Sequence, residues 1–416
     1  MNNFVSFFKI FDLKVAAGFL SVLSLFVIYF SPFWWPSSNS NAVALIRVFV
    51  FLAALFFIVK NFFGFFKKRA EFKVNYYLIF FIMLFSYLLV NTFFLEGGGQ
   101  SVRRVVFLMC FFISIYYLEI NQGVVRGLLI VLAVSGACFA LYSIISMYSM
   151  DLLPTGYRQG GLMSSAHPSV AYFGNTIVAA MHYSVTFSIL TYLFLTETKK
   201  VLLILWFSFL ILVFAYIALT FSRSGWIACA VAGFSIYCFT FDKSKIRFYF
   251  IPILGCGVLA YFALNFLTLE LYGRGLTSRD EIWAVVLSRM PGHWIFGYGL
   301  SAHFEPIPVL NGAVFVNNSH NLYLEILYKT GVVGLLLFIA SVASALFALY
   351  KGTKNAIYSN LAILLFSVLL AVLIVMLTEL NGWISSPNLL WQWLWVPLAF
   401  SLNMSRRLDQ ITSKPI

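Results

Sequence analysis

The stretch NNSHN at 317–321 stands directly ahead of the apolar run LYLEILYKTGVVG. A histidine at the mouth of a helix can cap it, bind a metal ion or take a proton. The chain has five, at 167, 182, 293, 303 and 320. If a helix starts near Asn318 or Ser319, His320 shares a face with Tyr323, Leu324 and Leu327. Gly331 and Gly334 continue that face and admit a neighbouring helix. A neutral imidazole in the first turn can accept a proton from a hydroxyl. The other reading is a polar cap for orphan amides, which the NNS residues can supply without it. Asn321 and Glu325 lie four apart on an adjacent face, both candidates to contact substrate or orient the imidazole.

Arginines are the second kind of residue able to do chemistry. TFSRSGW (220–226) places Arg223 at a sharp turn between two apolar runs, where it needs water, a carboxylate or an anionic ligand. Anion contact and simple snorkelling or structural pairing both remain open for it. GRGLTSRDEIW (273–283) supplies Arg274 and Arg279, with Ser278 and Asp280 at a helix start whose amides favour phosphate. Arg279 reaches the same anion as Arg223, or else pairs with Glu281 or another local acid. GYRQGGLMSSAHP (156–168) adds Arg158 as a phosphate or sugar contact, two glycines for a tight loop, and His167. Pro168 biases His167 towards extended backbone, so that histidine can be purely structural.

Metal and cofactor chemistry are not expected. His293, His303 and Glu305 share one loop, but no H-E-x-x-H or tight cluster joins them. The five cysteines show no C-x-x-C spacing. With no Walker loop, dinucleotide fingerprint or serine elbow, the energy for a reaction must come from an activated substrate.

The elements that position these residues are membrane helices. The 416 residues are 62% hydrophobic and 10% charged, a composition outside that of water-soluble domains. Apolar runs recur at 15–30, 42–59, 74–93, 104–118, 124–146, 172–195, 201–219, 225–240, 247–268, 331–349, 357–379 and 389–402. The expectation is therefore an all-α polytopic protein of about 12 transmembrane helices, forming a single membrane-embedded domain over 1–416. The connections at 60–73, 196–200, 241–247 and 351–354 and the tail are basic, which puts them and both termini in the cytoplasm. Lys329 alone among the lysines then falls on the other side, together with Arg47, Arg103, Arg104, Arg158, Arg223, Arg274, Arg279 and Arg289. Guanidinium forks are preferred where phosphate or carboxylate is held bidentately. The net charge of +13 is accounted for by the anionic inner leaflet and implies no nucleic acid. Two long connections face outward, 147–171 and 269–330, and long loops in compact proteins are usually functional. Within the second, SRDEIWAVVLSRM (278–290) has helical apolar spacing at Ile282, Val285, Val286 and Met290, suited to a short helix lying along the membrane.

FSRSGW (221–226), SRDEIW (278–283), GYG (297–299), SHNLYLEILYKTGVVG (319–334) and the upstream YRQGGLMSSAHP together resemble the bacterial O-antigen ligase family and its polymerase relatives. The agreement spans about residues 155–345. Ser224 stands where many relatives have glycine directly after the arginine, with Gly225 one position later. The resemblance implies a bacterial inner-membrane enzyme with its active site facing the periplasm. It implies metal-independent, inverting transfer of a glycan from undecaprenyl diphosphate to a hydroxyl of lipid A–core oligosaccharide. Arg223 and Arg279 match arginines that engage the diphosphate, and His320 matches a histidine near the acceptor. A repeat-unit polymerase, which uses another lipid-linked glycan as acceptor, shares the same motifs. A transporter of lipid-linked glycans or solutes is the alternative of another class. Oligomeric state is not legible in the sequence.

Overall fold

In a computed structural model of the chain, the described residues are 13–34, 39–67, 76–95, 99–119, 121–149, 171, 173, 175–241, 278–309 and 314–412. The chain runs through α1 (Leu13–Trp34), α2 (Asn39–Lys67), α3 (Tyr76–Leu95), α4 (Gly99–Tyr116), α5 (Gln122–Ser149), α6 (Thr176–Thr196), α7 (Lys200–Leu219) and α8 (Arg223–Thr240). It continues through α9 (Arg279–Ser288), a hairpin of β1 (Ile307–Val309) and β2 (Val314–Val316), α10 (Leu322–Thr353) and α11 (Ser359–Val375). A π-helical segment, Trp391–Trp395, leads into α12 (Val396–Thr412).

Among the described residues eight helices, α1 to α7 and α10, are long and apolar enough to cross a membrane. This corrects the expectation of about twelve crossings. The run at 225–240 falls on α8, which opens on Arg223, Ser224 and Gly225. The run at 357–379 becomes α11, apolar but only 17 residues long. The run at 389–402 begins in the π-helical segment and flows into α12, whose second half carries Asn403, Arg406, Arg407 and Asp409. The run at 247–268 lies outside the described residues. A hydropathy window averages over such polar ends, whereas the helix boundaries follow caps and tertiary contacts.

Helix α6 is the axis of the bundle, with 83% of its apolar window buried inside the protein. Its first turn is closed by Asn175, whose Oδ1 accepts from the Ile177 amide at 2.7 Å. Helix α8 comes unusually close beside it. A Cβ added to Gly225 would lie 2.7 Å from the Ala180 Cβ, so only glycine permits this approach. The turns near 118–126, 197 and 357 and the end of α12 share one end of the bundle: Arg126 pairs with Glu197 at 3.2 Å, Gln122 bonds the Ile357 carbonyl, and Arg407 bonds Leu118 O at 2.6 Å.

The other end is built around a break in α10. Gly331 has φ 66° and ψ −173°, a region open to glycine almost alone, and divides the helix in two. The strand of chain at 294–299 fills the break. Tyr298 and Gly299 donate to the carbonyls of Tyr328 and Lys329 at 2.9 Å each. Val332 and Val333 donate to Trp294 and Ile295 at 2.8 and 3.3 Å. Tyr87 of α3 takes the Thr330 carbonyl at 2.6 Å. Backbone groups freed by the break are thus paired again, as burial requires. The sequence expectation of one continuous apolar face through Gly331 is replaced by this wedge.

Over the first half of α10 sits a small second core. Ile282, Val286 and Met290 of α9 and its end pack with Phe304, Ile307, Val309, Leu327 and Tyr328. The apolar face expected for 278–290 therefore exists, and it covers the chain's own α10 and hairpin. This cap fixes α9, and with it Arg279, against the end of the bundle.

Candidate active site

His320 does not lie in the first turn of α10. It precedes the helix with φ 46°, and Asn321 is the cap, its Oδ1 accepting from the Leu324 amide at 3.1 Å. Asn318 Oδ1 accepts the His320 amide at 3.2 Å, and the Ser319 hydroxyl donates to the Asn321 carbonyl at 2.7 Å. Trp283 of α9 donates its indole N–H to Ser319 O at 3.0 Å. Asn321 does the capping while Asn318 and Ser319 hold the turn before it, so the imidazole is left to other work.

That imidazole meets Glu379, a residue the sequence reading passed over. His320 Nδ1 lies 3.5 Å from Glu379 Oε2, and Arg279 forms an ion pair with Oε1 of the same carboxylate. Glu379 is 6% exposed, Arg279 14% and His320 35%, so the carboxylate is the buried hinge between a cation and a half-accessible ring. The pairing is assembled by the join between α10 and α11. Leu322 donates to Met376 O at 2.9 Å, and the Tyr323 hydroxyl donates to Leu373 O at 2.9 Å. These contacts bring the residue before α10 to the segment after α11.

Glu325 has a different task from the one expected. Its Oε1 accepts from Lys329 at 2.7 Å and its Oε2 from the Gly382 amide at 2.7 Å. It ties α10 to the loop after Glu379 and does not touch His320. Removing one partner of such a buried charge typically costs about 3–5 kcal/mol, because the other is left unpaired.

The backbone around these groups is unusual. Five non-glycine residues among those described have positive φ: Ala171, Phe221, Ser278, His320 and Leu380. Ser278 precedes Arg279, Leu380 follows Glu379, Phe221 lies just before Arg223, and His320 is itself one of them. Strain of this kind persists where surrounding contacts over-determine it, and it concentrates at functional sites. Ser278 makes no side-chain cap to α9.

His320 and Glu379 line a cavity of about 400 Å³ with Asn318, Asn175, His182 and Asn388. Arg223 is the first residue of α8, half-buried, behind a Ser222 hydroxyl that accepts from the Gly225 amide at 3.3 Å. Gly225 rests on Ala180, and the neighbouring residues Val178 and His182 line the cavity, so Arg223 belongs to the same end of the bundle. The structure brings Arg279 and His320 together through Glu379. Arg158, His167 and Arg274 lie outside the described residues, as does most of the 147–171 loop. Among the described residues no group of three or more His, Cys, Asp or Glu is spaced to hold a metal ion.

Neither His182 nor Glu379 is assigned a role by the sequence. His182 sits inside α6, its Nδ1 2.9 Å from Gln392 Oε1. Glu379 had a usable signal, being a lone acid in TELNG (378–382) at the end of an apolar run.

Known proteins bear on one part of this architecture. The family described as O-antigen ligase matches residues 207–339, a span from α7 to the middle of α10 that ends before Glu379. A Pseudomonas aeruginosa protein described as an O-antigen ligase is 35% identical over 127 residues. That stretch is 30% of this chain and 30% of the relative. Over the family match, which includes Arg223, Arg279 and His320, the chain is similar to the O-antigen ligases.

Proposed function

We propose that the protein is an O-antigen ligase of the bacterial inner membrane. It transfers a glycan from undecaprenyl diphosphate to a hydroxyl of lipid A–core oligosaccharide on the periplasmic face, with inversion and without a metal ion. The observation that carries the proposal is Glu379 holding His320 at 3.5 Å on the wall of the cavity, with Arg279 on the same carboxylate. The partial similarity to O-antigen ligases supports the reaction class.

The chemistry runs as follows. The acceptor hydroxyl attacks the anomeric carbon from the face opposite the diphosphate. Its proton passes to His320 Nε2, since Nδ1 is turned to Glu379. The carboxylate orients the ring and stabilises the imidazolium that forms, as a buried acid does for a catalytic histidine elsewhere. The anomeric C–O bond breaks with its electron pair on the diphosphate. Arg223, Arg279 and Arg158 are the residues assigned to that leaving group, whose growing charge fixed cations stabilise in a water-poor site. A guanidinium has five N–H donors, so Arg279 can serve Glu379 and a phosphate oxygen together.

Reconstitution tests this directly. Purified protein in EDTA receives an undecaprenyl-diphosphate glycan with and without lipid A–core, and products are weighed by mass spectrometry. The expected product is glycan-capped core, absent with His320→Ala. Longer undecaprenyl-linked chains formed without core would make the protein a polymerase instead. No transfer to either acceptor would sink the enzymatic reading.

A further inference from the structure

His182 is 6% exposed and lies in the most buried helix, yet it lines the same cavity as His320. Its ring stacks on Phe173 with centroids 5.0 Å apart. The hydrogen bonds around it fix which nitrogen carries the proton. Gln392 donates its Nε2 to the Ile28 carbonyl at 2.8 Å, a bond that only the amide nitrogen can make. Gln392 Oε1 therefore faces His182 Nδ1 at 2.9 Å, and an oxygen facing a ring nitrogen must accept. The proton sits on Nδ1, and Nε2 carries a lone pair. Among the described residues no hydrogen bond reaches Nε2, and it is not among the sealed polar atoms that lack a partner.

The neighbouring polar groups complement it. Asn175 and Asn388, on the same cavity wall, have their Oδ1 atoms occupied by the Ile177 and Leu390 amides at 2.7 and 3.0 Å. Each is thereby committed to presenting its NH₂ group as a donor. One acceptor and two donors on one cavity wall suit a ring bearing several hydroxyls, since a hydroxyl both donates and accepts.

We propose that His182 is a substrate-binding residue whose Nε2 accepts a hydrogen bond from one hydroxyl of a sugar in the cavity, the sugar next to the diphosphate. This rests on the glycan-transfer reading and adds a selectivity it does not contain. A site built around a buried acceptor discriminates strongly against a ligand lacking the matching hydroxyl, because the acceptor is then desolvated for nothing.

The test uses the full chain in lipid nanodiscs and undecaprenyl-diphosphate glycans deoxygenated at each position of that first sugar in turn. With the intact donor, His182→Phe should lower kcat/KM by about 10- to 100-fold. With one deoxy donor, and only one, wild type and variant should become equal. His182→Gln, which retains an acceptor oxygen, should recover part of the rate on the intact donor. A loss of the same size on every donor, or no loss, overturns the proposal and leaves His182 a packing residue. Wild type that transfers none of these glycans overturns the glycan-transfer reading first, and this inference falls with it. If His182→Phe does not fold, ¹⁵N NMR of histidine-labelled wild type decides: an unprotonated Nε2 that shifts on adding the intact donor sustains the proposal. A protonated or unresponsive Nε2 ends it.

Discussion

Two buried carboxylates sit at opposite ends of this bundle, and they are used differently. Glu197 and Glu379 are 5% and 6% exposed, and each pairs with an arginine. Glu197 is consumed by its own turn. It accepts from the Thr198 and Lys199 amides at 2.9 and 3.1 Å, from the Trp206 indole at 3.5 Å and from Arg126 at 3.2 Å. Burial alone would raise its carboxyl, but those two amides, Trp206 and Arg126 outweigh it and hold the group below its ordinary 4.5. Glu379 is instead bonded to two residues with chemistry of their own, His320 and Arg279, beside a cavity. Burial and an ion pair therefore do not mark a site. Reactive partners and an opening do.

The comparison can be broken at either end. The largest effect is expected at the ring that Glu379 holds. His320→Ala should lower transfer by about 10³-fold, the scale of a lost general base, with the melting temperature held within a few degrees. Rates and thermal melts of one preparation check both parts. Glu379→Gln keeps the shape but removes the charge that stabilises the imidazolium, and should lower kcat by about 10²-fold while donor KM stays near wild type. Glu325→Gln attacks the tie beneath the site. It should destabilise by about 3–5 kcal/mol by leaving Lys329 without its buried partner, with a smaller loss of rate per folded molecule. Chemical unfolding beside the rate assay separates the two.

Glu197→Gln should have the smallest effect, about 1 kcal/mol of stability and no change in rate per folded molecule. It also sharpens the contrast through pH. The Glu197 carboxyl is held low in the folded protein, so its stabilisation is complete above the ordinary value of 4.5 and fades as pH falls through the lowered one. Melting curves of wild type and Glu197→Gln should therefore differ at neutral pH and converge in acid.

How much of this was legible in the sequence depends on what held each residue in place. His320 and Arg279 stood out because charged and titratable residues are scarce in a chain 62% hydrophobic. Their proximity was not legible, because Glu379 joins them only after α10 and α11 are tied by Leu322, Tyr323 and Glu325. Glu325 was a candidate to orient His320, but Lys329 and Gly382 claim it. The break at Gly331 was hidden because apolar spacing continues through it. Only the segment at 294–299, far away in sequence, shows why glycine is needed. The crossing count came out too high because apolar runs such as 225–240 and 389–402 merge into polar helix ends. His182 was hidden because a histidine inside an apolar run has no sequence sign of the glutamine that sets its tautomer.

The most direct test of the central claim places the two glutamates in one assay. Initial rates of glycan transfer are measured for Glu379→Gln and Glu197→Gln in matched nanodiscs, each normalised to folded protein. The account predicts a loss of about 10²-fold for the first and a rate within about twofold of wild type for the second. Equal losses, or a Glu379→Gln protein as fast as wild type, would contradict it and return Glu379 to the same structural role as Glu197.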